Sequence, residues 1–222
     1  KQKTAYEIYQ CDWSSDVCSS DLKIATVSGT GSFEPWPDKF DKGIVGIERN
    51  GVILEDRIIQ SPDDVVPIEG ALEAIKNLRL KGYRLCIFFN EPLISQNILT
   101  PEQVDATNDR MMDLFGEAGI QTIDGILYST TNMKEDIYSM PNTGMMKKAE
   151  KDFRLKFKGG YFVGNKIQNL KAGNSIGCKP IFIKTGNYFE TVGKLNTFAN
   201  RELLKKTKQF HTLAEFVNQL PS

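Results

Sequence analysis

The sequence predicts an α/β fold: a mostly parallel sheet of five to six strands with helices on both faces. Two observations carry this expectation. From Gly43 onward, short β-branched and aromatic runs alternate with stretches whose apolar residues recur at helical spacing. Inner runs such as YRLCIFF (83–89) and PIFI (180–183) are apolar at successive positions, as strands covered on both faces must be.

Each element can be read in turn. Gly43–Ile47 is a short strand entering Glu48-Arg49-Asn50-Gly51. Ile68, Ala71, Leu72, Ile75 and Leu78 mark a helix, with Gly82 as its terminator beyond Lys81. Residues 83–89 form the next strand. Thr100, Pro101 and Gln103 combine a capping box with proline in the first turn, and open a helix running toward Gly116 or Gly119. GILYS (125–129) is a strand, and Met146, Ala149 and Phe153 face inward from the following helix, capped by Asn142 or Thr143. GGYFVG (159–164) precedes a helix over 166–175, and PIFI follows it. A last short strand near Gln209–His211 leads into Thr212-Leu213-Ala214-Glu215, a second capping box.

Residues 1–22 stand apart. KQKTAYEI (1–8) is what AAG CAG AAG ACG GCA TAC GAG ATN encodes, which resembles the flow-cell end of a short-read library primer. CDWSSDVCSSDL (11–22) matches the read-primer half in the same frame, and Tyr9 and Gln10 fall at the variable index. The expected organisation is therefore a non-native scar over 1–22, a loosely ordered entry segment over 23–42, and a single domain over 43–222. Of 28 basic and 28 acidic side chains, the scar holds two lysines and four acids; 26 and 24 remain, a formal +2. That balance argues against nucleic acid or an anionic membrane as partner. Cys86 and Cys178 are the remaining thiols, and with no leader read in the sequence a reduced, cytoplasmic setting is expected. No apolar run approaches the ~20 residues of a membrane span.

Ligands of parallel sheets sit beyond the carboxyl ends of the strands, so the informative loops are Glu48–Gly51, Phe89–Ile94 and Gly164–Asn169. Around them occur IERNGVIL (47–54), PIEGALEAIKNLRLKGYRL (67–85), FNEPLI (89–94), DGILYS (124–129), PNTGM (141–145), FVGNKIQNLKAG (162–173) and IKTG (183–186), in that order. On these blocks the chain resembles the haloacid-dehalogenase (HAD) superfamily, most of all its D,D-heptose 1,7-bisphosphate and histidinol-phosphate phosphatases. The resemblance implies a Rossmann-like HAD fold without a large cap domain.

It also implies where chemistry would sit, and there the chain departs from the family. The family's D-x-D-G, with nucleophile and general acid/base, reads Glu48-Arg49-Asn50-Gly51. Glu48 keeps the charge with one extra methylene; a shift of ~1 Å in an attacking atom can cost ~10²-fold in rate. Asn50 carries a carboxamide, which cannot exchange a proton near neutral pH. In the phosphate-binding positions, Phe89 replaces a small hydroxyl residue before Asn90, and Met140 replaces a lysine. The family's G-D-x-x-x-D reads Gly164-Asn165-Lys166-Ile167-Gln168-Asn169, so the positions of a metal site are Glu48, Asn165 and Asn169. Magnesium wants carboxylate oxygens at ~2.0–2.1 Å, which makes this a poor set for it. Residues 129–140 contain neither Cys nor His, so no zinc is expected either.

The resulting expectation is a non-catalytic domain that binds a phosphorylated small molecule or a protein partner. One alternative is a working magnesium-dependent phosphatase on a small sugar phosphate with Glu48 as nucleophile; another is a structural or assembly component. Asn90, Asn165 and Asn169 could cradle an anion or serve as caps and turns, and Lys166 could bind phosphate or be solvated. His211 and Cys86 are expected to be structural, Met145 and Met146 to pack, and the basic stretches 147–158 and 205–208 to be solvated helix faces.

Overall fold

The computed structural model describes residues 8–11, 37, 39–186 and 188–221. Most of the predicted scar and entry segment lies outside these residues. The strands are β1 (Ile8–Cys11), β2 (Ile44–Glu48), β3 (Arg84–Asn90), β4 (Gly125–Ser129), β5 (Tyr161–Gly164), β6 (Lys179–Ile183) and β7 (Lys208–Phe210). The helices are α1 (Ala71–Leu80), α2 (Pro92–Ser95), α3 (Pro101–Glu117), α4 (Gly144–Asp152), α5 (Ile167–Ile176), α6 (Tyr188–Leu195), α7 (Arg201–Lys206) and α8 (Leu213–Asn218). All strand pairs are parallel, in the order β1-β4-β3-β2-β5-β6-β7. Six strands lie within 43–222, at the predicted places. The seventh, β1, pairs with the outer edge of β4 in the register Ile8↔Ile126 to Cys11↔Ser129. An open edge accepts an extended segment through main-chain groups alone, so side-chain pattern did not foretell it.

Sequential strands run outward from β2 through β3 to β4, and the chain then returns to pair β5 on the other side of β2. That reversal between β2 and β5 opens a crevice at their carboxyl ends. Strand alternation decides which side chains enter it. Val45, Ile47, Leu85, Ile87 and Phe89 join one apolar cluster with α1, α3 and α8. Ile44, Cys86, Phe88 and Phe162 point the other way, onto Met145, Met146 and Ala149 of α4. Glu48 and Asn90 continue this second set, which aims them toward the start of α4.

Capping follows the sequence closely at α3. Thr100 Oγ1 accepts from Gln103 N at 3.3 Å, and Gln103 Oε1 accepts from Thr100 N at 2.9 Å. Thr100→Ala should cost about 1 kcal/mol, read as a lowered urea midpoint with unchanged slope. At α8 the box is displaced: Thr212 Oγ1 accepts from Glu215 N, but Glu215 Oε2 accepts from His211 N at 2.8 Å. At the amino end of the sheet, Asp124 joins Arg79 (2.7 Å) and Arg84 (2.6 Å) beneath the surface. Among the described residues no helix is long and apolar enough to cross a membrane.

Candidate functional site

A crevice of about 810 Å³ opens at the switch point, and Glu48, Asn50, Asn90, Met140, Lys166 and Asn169 line it. The predicted positions therefore converge, with two exceptions. Phe89 is fully buried on the opposite face of β3, stacked on Tyr128 with ring centroids 5.1 Å apart. Period-two alternation puts it there: one residue before Asn90, it must point into the α1/α3 cluster. Asn165 is buried beside the crevice, against the loop after β2.

That loop is tight. The Arg49 carbonyl accepts from the N–H groups of both Ile53 and Leu54, at 3.0 Å each. Gly51 sits at φ +88°, and a Cβ there would lie 2.0 Å from Asn165 Nδ2, so both backbone angle and packing require glycine. Thr185 Oγ1 donates to the Gly51 carbonyl, and Thr191 Oγ1 of α6 donates to the Asn165 carbonyl at 2.8 Å. The IKTG segment and α6 thus brace the loop.

Arg49, which no motif reading singled out, is the buried centre of one wall. Its guanidinium carbon lies 3.5 Å from the Phe89 ring centroid, and its nitrogens donate to Asn108 Oδ1 (2.6 Å), Thr107 Oγ1 (3.2 Å) and Asn50 Oδ1 (2.9 Å). Glu91 approaches it at 3.6 Å. Phe89 is thus the platform for this cation, a use that the loss of a hydroxyl did not suggest. Burial lowers the Arg49 pKa to about 10, against the pull of Glu91 and Glu48, so it stays charged at neutral pH.

The asparagines serve mainly as cross-links. Asn90 Oδ1 accepts from Met140 N, and its Nδ2 donates to Ser139 Oγ and the Met140 carbonyl, each at 3.1 Å. It pins the 130–140 loop to β3. Asn169 Oδ1 accepts from Lys166 N at 3.0 Å; because that N–H can only donate, Nδ2 must face Glu48, and it donates to Oε2 at 2.7 Å. The same reasoning turns Asn50 Oδ1 to Arg49 and leaves Asn50 Nδ2 as a donor on the crevice wall. Asn165 Nδ2 is 3.5 Å from the Thr185 carbonyl, and its buried Oδ1 has no hydrogen-bond partner.

Glu48 is 4% exposed. Burial raises its pKa to about 7, although Lys166, Arg49 and the Asn169 bond favour the charged form. Lys166 Nζ pairs with Asp56 at 3.0 Å. Burial would lower the Lys166 pKa, but Glu48 and Asp56 outweigh it and raise it. Sequence reasoning missed Asp56, Glu91, Lys134 and Lys171, which also line the crevice. Their only signal was position after a strand or on α5, which many surface residues share.

No family model matches the chain. It is 26% identical over 157 residues to the D-glycero-beta-D-manno-heptose-1,7-bisphosphate 7-phosphatase of Pseudomonas aeruginosa, covering 69% of this chain and 87% of that one. To the enzyme of the same name from Neisseria meningitidis serogroup A it is 27% identical over 176 residues, covering 78% and 91%. The crystal structure of D,D-heptose 1,7-bisphosphate phosphatase from B. bronchiseptica, complexed with magnesium and phosphate, superposes with a TM-score of 0.72 at 22% identity, covering 80% of this chain and 97% of that one. The chain is thus a low-identity homologue of heptose-bisphosphate phosphatases, with the α/β fold of the HAD superfamily.

Magnesium does not suit the donors this chain presents. The crevice offers one carboxylate from the three motif positions, and its Oε2 already accepts from Asn169. The orphan Asn165 Oδ1 adds a single neutral oxygen. Magnesium demands near-octahedral oxygen ligation and dehydrates reluctantly, and Lys166 adds a positive charge beside the same carboxylate.

Proposed function

We propose that this chain takes a small phosphorylated sugar into the crevice, as a protein of the sugar-phosphate phosphatase type. One observation carries the reading: Glu48, Asn50 and Lys166 share the walls of a crevice at the sheet's switch point. The names of the relatives favour hydrolysis of the phosphomonoester as the chemistry. Glu48 would then be the attacking group, about half ionised near pH 7. Asn50 Nδ2 could hold an oxygen of the ester, while the leaving oxygen would draw its proton from water, since a carboxamide has none to give.

A second reading, binding without turnover, is favoured by a different observation. The Asn169 amide holds Glu48 Oε2 in place, and no carboxyl group stands at position 50. The two readings part in one assay. Phosphate release from D-glycero-β-D-manno-heptose 1,7-bisphosphate is measured for the full chain, with and without magnesium. Slow release, lost in Glu48→Ala by about 10²-fold or more, is the expected result. Saturable binding with no release would favour the second reading, and neither binding nor release would remove both.

A further inference from the structure

We propose that the crevice holds a phosphate group directly, without a divalent cation, with Lys166 as the principal counter-charge. This rests on the reading that the crevice takes a phosphomonoester, and adds what that reading leaves open: how the charge of the ester is met.

The chain as a whole carries equal numbers of acidic and basic side chains. The crevice does not. Five basic side chains line it against three acids, Glu48, Asp56 and Glu91. Glu91 faces the buried Arg49 at 3.6 Å, so its charge is largely spent behind the wall. Lys134 and Lys171 make no ion pair among the described residues. Arg57 pairs with Glu55, Lys194 with Glu190 and Lys166 with Asp56, so the unspent surplus is that of Lys134 and Lys171 over Glu48, in a concave site whose low-dielectric walls strengthen its attraction for an anion.

Lys166 is placed to use that surplus. It precedes the first residue of α5, with Asn169 Oδ1 on its own N–H, so its backbone is held. Its side chain is 44% exposed and reaches Asp56 at 3.0 Å, an exposed pair that costs little to exchange for a phosphate oxygen. Asn50, whose Oδ1 is taken by Arg49, leaves its Nδ2 as a neutral donor on the same crevice's wall. A metal would have to displace the Asn169 amide from Glu48 and sit beside an ammonium group. Phosphate needs neither change. It meets an ammonium group that need only exchange Asp56 for a phosphate oxygen, and a neutral amide N–H group.

Isothermal titration of the full chain with inorganic phosphate and with a hexose 6-phosphate tests this, in EDTA and in excess magnesium. The expected result is binding of the same affinity, within about twofold, in both buffers, and no heat from magnesium alone. Lys166→Gln should weaken binding at least about tenfold, Lys166→Arg should retain it, and circular dichroism should be unchanged in both. Binding that appears only with magnesium overturns the inference while leaving the sugar-phosphate reading intact. Unchanged affinity in Lys166→Gln also overturns it. Binding of neither probe in either buffer removes the sugar-phosphate reading, and the inference with it.

Discussion

Asp124→Ala is expected to destabilise the protein by about 3–5 kcal/mol and to leave phosphate binding untouched. Asp124 lies just ahead of β4, at the end of the sheet remote from the crevice. It accepts from Arg79 Nη1 at 2.7 Å, from Arg84 Nε at 2.6 Å and from the Leu85 N–H at 2.7 Å. Arg79 is 2% exposed and depends on Asp124 for its counter-charge. Burial pulls the Arg79 pKa down and Asp124 holds it up. Removing the carboxylate leaves a guanidinium buried without its anion, keeping its bonds to Thr122 Oγ1 at 2.8 Å and to the Tyr83 carbonyl at 3.0 Å and its place over the Phe40 ring, none of which carries a counter-charge. Arg84, being one-third exposed, can turn to water and adds little to the loss. Urea denaturation should show a lower midpoint with the same slope. A loss below about 1 kcal/mol would mean that Arg79 finds water on its own.

Glu48→Gln should stabilise the protein, and only above mildly acidic pH. The buried carboxyl has its pKa raised from 4.5 to about 7. Between those values the folded chain holds a proton that the unfolded chain has released, so stability falls as pH rises through that window. Below pH 4.5 both states are protonated and no cost exists. Above about pH 8 the full cost is present, on the order of 3 kcal/mol for a shift of this size. Glutamine is neutral throughout, and its carbonyl oxygen can still accept from Asn169 Nδ2. The difference between Glu48→Gln and the parent chain should therefore rise from near zero at pH 4.5 to about 3 kcal/mol at pH 8. Parallel stability curves across that range would show that Glu48 is solvated or paired in a way that burial does not reflect. The same substitution removes a negative charge from the crevice, so phosphate should bind at least as tightly while any turnover is lost.

Much of the fold was legible in residue order. Apolar runs at 83–89 and 180–183 became buried strands, the Thr100–Gln103 box formed as read, and Gly82 took the positive φ of +85° that ends α1. These are local properties, set by periodicity and backbone angle. Helices α6 and α7 went unread. Residues 188–206 mix charge with scattered aromatics, and half of α6 is held by packing: Leu195 joins a cluster with Phe182 and Leu170, and Thr191 bonds the Asn165 carbonyl. None of these three partners lies in α6 or beside it in sequence.

The site divides along the same line. Which residues stand at the strand ends, and that amides stand at 50, 165 and 169 with a lone carboxylate at 48, is a matter of chain order and chemical identity. The sequence alone determines that. What those groups are bonded to is a different matter. Asn90 reads as either an anion donor or a cap or turn residue and is a loop clamp; Phe89 reads as a missing hydroxyl and is the platform for Arg49; Asn169 reads as a vacant metal position and is a hydrogen-bond donor to Glu48. Each of these outcomes depends on contacts between residues 40 to 121 positions apart, and on which end of an amide faces a group that can only donate. Spacing carries no record of such pairings, because a hydrogen bond is settled by where folding brings two atoms and not by how far apart they lie along the chain.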